Sequence, residues 1–152
     1  MCKSGCSIPC RFTKYRHRSG NGTHWGQKPT GILTYTDRGF VSANMAATEP
    51  ELRPSNVTWP PKPEDAQDLW ALIGRHALSY AGTFTITERS PDEKTGQVIH
   101  GPLTVCSVPA LVGTNLTRNY TLLQRPDGEY LRLFSVNTES GRSSEIWWKR
   151  LA

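Results

Sequence analysis

The chain has 152 residues, 36% hydrophobic and 20% charged, which suits one globular domain and excludes a disordered polymer. The net charge of +5 belongs to the first eighteen residues, where Lys3, Arg11, Lys14, Arg16 and Arg18 meet no acid; the other thirteen Lys and Arg match thirteen Asp and Glu, so no nucleic-acid partner is expected. No run reaches the ~20 apolar residues of a spanning helix and no secretory apolar core opens the chain, so a cytoplasmic protein with no membrane partner is expected.

Residues 1–20 read as a basic, cysteine-containing arm of poor order ahead of a domain over 21–152, with Arg11–Arg16 a marginal candidate for one more strand. Cys2, Cys6 and Cys10 are spaced C-x3-C-x3-C, which matches neither zinc fingers nor common iron–sulfur sites, and a fourth ligand would have to come from Cys106, His17 or His24. No metal is expected. Gly31–Thr36 and Phe40–Ala46 read as a hairpin turning at Asp37-Arg38-Gly39. Glu49–Pro63 holds five prolines and reads as a loop.

Over 64–80, Ala66, Leu69, Trp70, Ile73, Ala77 and Tyr80 fall on one helical face, so the spacing predicts a helix that Gly82 stops. Beyond it Thr83–Thr87, Gln97–Ser107, Leu116–Gln124, Glu129–Val136 and Ser144–Arg150 read as strands separated by polar turns. Seven strands about ten residues apart, with the marginal eighth, predict an all-β antiparallel barrel of about eight strands with one helix between strands.

Pro29–Ala43, the segment His76–Gly82, Val98-Ile-His100, Gly113-Thr114 with Arg118, and the closing Glu145–Leu151 together resemble the small stand-alone lipocalin-like domains of fungi and bacteria. The Gly-x-Trp that opens such chains has no counterpart in residues 1–20, and Gly22-Thr-His-Trp25 is the nearest approach to it. The resemblance implies a calycin-type barrel that encloses a hydrophobic small-molecule metabolite, in fungi often beside polyketide or terpenoid gene clusters. It supplies no shared catalytic set, and fold alone is a weak guide to activity.

No nucleophile elbow, P-loop, zincin or dinucleotide fingerprint occurs, so no cofactor is expected and any chemistry falls to acid–base side chains inside the barrel. Alternation puts Arg118 on the apolar face of its strand with Leu116, Tyr120 and Leu122, where it either closes a structural pair or anchors a ligand. His100, on the face of Val98, Thr104 and Cys106 unless Pro102 bulges the strand, either lines the lumen or moves protons. The candidate catalytic set is thus His100, Tyr35 and Arg118, and the candidate ligand-binding set Tyr80, His76, Tyr120 and Trp148. Two activities fit: a cofactor-independent isomerase, cyclase or dehydratase on a polyketide- or terpenoid-like substrate, or a carrier that leaves its ligand unchanged.

Overall fold

A computed structural model describes residues 11–19, as backbone, together with 24–136 and 143–151. Among the described residues eight strands follow one another: β1 (Arg11–Ser19), β2 (Thr30–Tyr35), β3 (Phe40–Ala46), β4 (Ala77–Arg89), β5 (Thr95–Cys106), β6 (Leu116–Arg125), β7 (Gly128–Val136) and β8 (Ser143–Arg150). Every pairing is antiparallel to a chain neighbour, and β8 returns to β1, so the sheet closes into a barrel without a free edge.

β1 corrects the expected arm. Arg11–Ser19 is strand rather than tail, paired through Arg11 and Thr34 to β2 and, from Phe12 opposite Arg150 to Ser19 opposite Ser144, to β8. Its sequence mixes aromatic and basic side chains with no apolar stripe, so the local pattern does not announce it; pairing along both edges makes it a strand. Residues 1–10, with Cys2, Cys6 and Cys10, lie outside the described residues.

Elsewhere period-two alternation sorts side chains as expected. Leu33, Tyr35, Val41, Ala43, Met45, Val98, Leu131, Leu133 and Trp148 are buried inside, while Thr34, Ser42 and Asn44 point away from them. On the outer face cations cover aromatics: Arg125 lies 4.9 Å from the ring centroids of both Tyr130 and Trp147, and Arg132 lies 4.4 Å from that of Phe134. Glu145 accepts hydrogen bonds from Arg132 at 3.0 and 2.6 Å and also from the Trp147 indole, which ties β7 to β8.

The helix is shorter than its periodicity predicts. α1 spans Gln67–Arg75, caps at His76 and buries none of its residues fully. Ala77 and Tyr80, read as its last turns, instead open β4, where Ala77 pairs with Ala46 and Tyr80 with Ala43. The stretch Leu78, Tyr80, Gly82 satisfies a strand period as well as a helical one, and the partners waiting on β3 and β5 decide between them. Gly82 does not stop a helix. It is buried where β4 crosses β5, and a Cβ there would stand 2.5 Å from the Pro102 carbonyl oxygen.

β5 carries the bulge that sets the site. Phe84 pairs with His100 and Gly82 with Leu103, so Gly101 and Pro102 together oppose the single residue Thr83. Gly101 takes φ +144° there, and a Cβ on it would meet the Asn115 side chain at 2.4 Å, so glycine alone fits. Past the bulge Leu103, rather than the expected Thr104, turns inward, and a second register shift brings Cys106 back against the core.

Candidate functional site

The inward faces of β3 to β8 leave a largely enclosed cavity of about 130 Å³ toward one end of the barrel. Trp25, Met45, Leu78, Leu116, Leu133, Ile146 and Trp148 form its apolar wall, and Tyr80, His100, Arg118 and Ser144 supply the polar groups. For comparison, an apolar cavity of about 150 Å³ holds one benzene. A larger cleft of about 580 Å³ lies outside the barrel between the 47–59 loop and α1, open to solvent, and its one cation, Arg53, is engaged by the Ala47 carbonyl at 3.2 Å. A third depression of about 380 Å³ surrounds Glu49, whose carboxylate is committed to the backbone N–H groups of Gln27, Lys28 and Thr48.

His100 is the one buried polar residue of the described core, at 1% exposure. Burial, helped by the nearby charge of Arg118, pushes its pKa down to about 3, so the ring is neutral at pH 7. A neutral imidazole has one donor and one acceptor nitrogen. Both are used: Nε2 lies 2.6 Å from the Tyr35 hydroxyl and Nδ1 2.9 Å from that of Tyr80. Tyr35 also packs edge-on to Phe84, with ring centroids 4.8 Å apart, which holds the pair behind the cavity wall.

Tyr80, together with His100, brings this chain of hydrogen bonds to the cavity wall. Burial drives its hydroxyl up to about 12, against the pull of Arg118, so it too is uncharged. With Nδ1 protonated, His100 donates to Tyr80, and the Tyr80 hydroxyl is free to donate into the cavity. With Nε2 protonated, Tyr80 donates to His100 and offers the cavity a lone pair instead.

Arg118 has the inward placement expected of it and lacks the expected structural partner. Among the described residues its one hydrogen bond runs from Nη1 to the carbonyl of Thr117, in its own strand, at 2.7 Å, and no carboxylate lies within ion-pair distance. Trp148, 1% exposed, has no acceptor for its indole N–H among the described residues.

The structure therefore brings together His100, Tyr35 and Tyr80 as one hydrogen-bonded group, with Arg118 and Trp148 on the same cavity wall. Tyr120 is buried at 1% but belongs to the packed core and does not line the cavity. His76 lies away from it, half-buried at the end of α1, with Nδ1 2.5 Å from the His24 carbonyl oxygen. That fastens the segment carrying Trp25, a lining residue outside the candidate set. Met45, Leu78, Leu133 and Ser144 also lie outside that set, although alternation about buried neighbours in β3, β7 and β8 contains the signal for three of them.

An antiparallel barrel closed around a mostly apolar cavity with a few convergent polar groups defines a class, the small-molecule-binding β-barrels. A model of the lipocalin-like domain matches residues 12–151. The chain belongs to the lipocalin-like domain family, and its barrel fits the binding of a small hydrophobic molecule. No curated protein and no solved structure matches it. Among the described residues no helix is long and apolar enough to cross a membrane, and no group of three His, Cys, Asp or Glu could hold a metal ion.

Proposed function

We propose that this barrel is a holding protein for a small, mostly apolar metabolite, one ring or short branched end of which enters the cavity. The observation that carries this reading is the enclosed space of about 130 Å³, apolar on most of its wall and polar at Tyr80, His100 and Arg118. A polyketide- or terpenoid-like compound has that character, and the resemblance to barrels that accompany such gene clusters supports the choice. A molecule larger than one ring leaves the remainder outside the cavity.

Binding is favoured over turnover by the charge states of the wall. General acid–base catalysis works best with a group whose pKa lies near the working pH. His100 at about 3 and Tyr80 at about 12 both stay neutral across the physiological range. One observation favours the alternative, a cofactor-independent isomerase, cyclase or dehydratase: the Tyr35–His100–Tyr80 chain presents Tyr80 as donor or acceptor according to the tautomer, beside a cation able to stabilise an oxyanion.

The two readings separate in one incubation. Purified protein mixed with single-ring terpenoids and phenols is expected to hold up to one equivalent and release it unchanged on denaturation. Binding is followed by quenching of tryptophan emission, since Trp25 and Trp148 line the cavity. Conversion beyond one equivalent that disappears in Arg118→Gln would replace the carrier with the enzyme. No binding of any probe would remove both.

A further inference from the structure

Taking the cavity as the binding site, we infer that its preferred ligands are organic anions, a carboxylate or enolate on a small apolar body, with the anionic oxygens set against Arg118.

Arg118 is a cation on the inward face of β6, half-buried and beside the cavity, and among the described residues its five donors meet only the Thr117 carbonyl. A guanidinium that is partly withdrawn from water on a cavity wall gains from an acceptor placed against it. Arginines elsewhere on the barrel do find carboxylates, Arg132 of β7 pairing with Glu145 and Arg150 of β8 with Glu129, whereas Arg118 has none among the described residues. The lining contains no Asp or Glu, and its titratable neighbours His100 and Tyr80 carry no charge to offset the guanidinium.

A second group points the same way independently. The Trp148 indole N–H, on a side chain 1% exposed, has no acceptor among the described residues. Buried donors are nearly always satisfied, so an orphan on a cavity wall marks the place of an absent acceptor. Trp148 pairs with Leu131 on β7, and Leu131 opposes Leu122 on β6, four residues along that strand from Arg118. The two donors thus stand at different positions along the barrel, and a ligand reaching both carries its anionic group at Arg118 and a second acceptor oxygen further along. The unmet capacity of this wall is donor capacity, and what complements it is an acceptor-rich anion.

The test uses the full chain and matched one-ring probes at pH 7: benzoate, an ionised 1,3-cyclohexanedione, neutral benzyl alcohol and cationic benzylamine, titrated by calorimetry and by tryptophan emission. Benzoate or the enolate is expected to bind at least about tenfold more tightly than benzyl alcohol, the scale of a charge-assisted hydrogen bond. Which of the two binds better identifies the anion as carboxylate or enolate. In Arg118→Gln the preference is expected to vanish, with benzoate and benzyl alcohol then binding within about twofold of each other. Because an arginine holds its charge throughout, the preference is also expected to be flat from pH 6 to 9, whereas capture by a protonated histidine would strengthen it toward the acid end. Equal affinity for benzoate and benzyl alcohol, or a preference that survives Arg118→Gln, overturns the inference and leaves the cavity reading intact. Failure of all four probes to bind overturns both.

Discussion

The Tyr35–His100–Tyr80 group is a structural commitment as much as a polar lining. Removing the Tyr35 hydroxyl leaves Nε2 of a buried ring without a partner, so Tyr35→Phe is expected to cost about 1–3 kcal/mol in urea denaturation. Tyr80→Phe should cost less, because water or ligand in the cavity can take its place at Nδ1. The acid response of His100 has a definite sign. Its pKa falls from the ordinary 6.5 unfolded to about 3 folded, so the unfolded chain binds the extra proton between those values. The stability conferred by the neutral ring is complete above pH 6.5 and is lost progressively as the pH falls toward 3. Unfolding free energies measured from pH 7 to 4.5 should decline in the native chain and flatten in His100→Gln. An unchanged slope in the variant would show that His100 does not carry the acid sensitivity.

Among the elements, the β4–β5 crossing and the outer face of β7 and β8 are the most exposed to single substitutions. Gly82→Ala drives a methyl group to 2.5 Å from the Pro102 carbonyl oxygen and 2.9 Å from the Leu103 Cα, both backbone atoms that cannot swing aside. A loss of roughly 1–3 kcal/mol is expected, together with a weakened Tyr80–His100 contact, since the bulge beside it sets the height of His100. On the outer face Arg132→Ala removes the contact with Glu145 and the stacking on Phe134. The pair is partly exposed, so solvent screening holds the expected cost to about 1 kcal/mol, or about 2–4 °C in melting temperature for a domain of this size. A shift many times larger would mean that the β7–β8 seam depends on Arg132 for folding itself.

For the whole molecule the decisive feature is closure. β1 has partners on both sides, so a chain that begins at residue 20 would expose the edges of β2 and β8 at once. Such a truncation is expected to lose cooperative unfolding, bind a hydrophobic dye and self-associate in size-exclusion chromatography. A truncated chain that stays monomeric and melts sharply would return Arg11–Ser19 to the status of an arm. Closure also keeps the cavity largely enclosed, which lets a single guanidinium and one indole N–H weigh heavily in the choice of ligand.

Seven of the eight strands, their inward faces outside the β5 bulge, and the inward placement of Arg118, His100 and Trp148 are written in the sequence, because a half-buried strand needs nothing beyond its own alternation to declare which side is which. Turn residues between those strands set their spacing, and the spacing implies a barrel. What local pattern does not contain is which segments find partners. Arg11–Ser19 becomes a strand only because β2 and β8 both offer an edge, and Ala77–Tyr80 leaves its helical period because β3 and β5 already lie beside it. The inward turn of Leu103 in place of Thr104 comes from two residues opposing one across the Gly101–Pro102 bulge. The cavity depends on the same long-range contacts: Trp25 lines it because the His76 side chain, remote in sequence, holds the His24 carbonyl, and Arg118 faces it uncompensated because, among the described residues, no carboxylate from another strand arrives there.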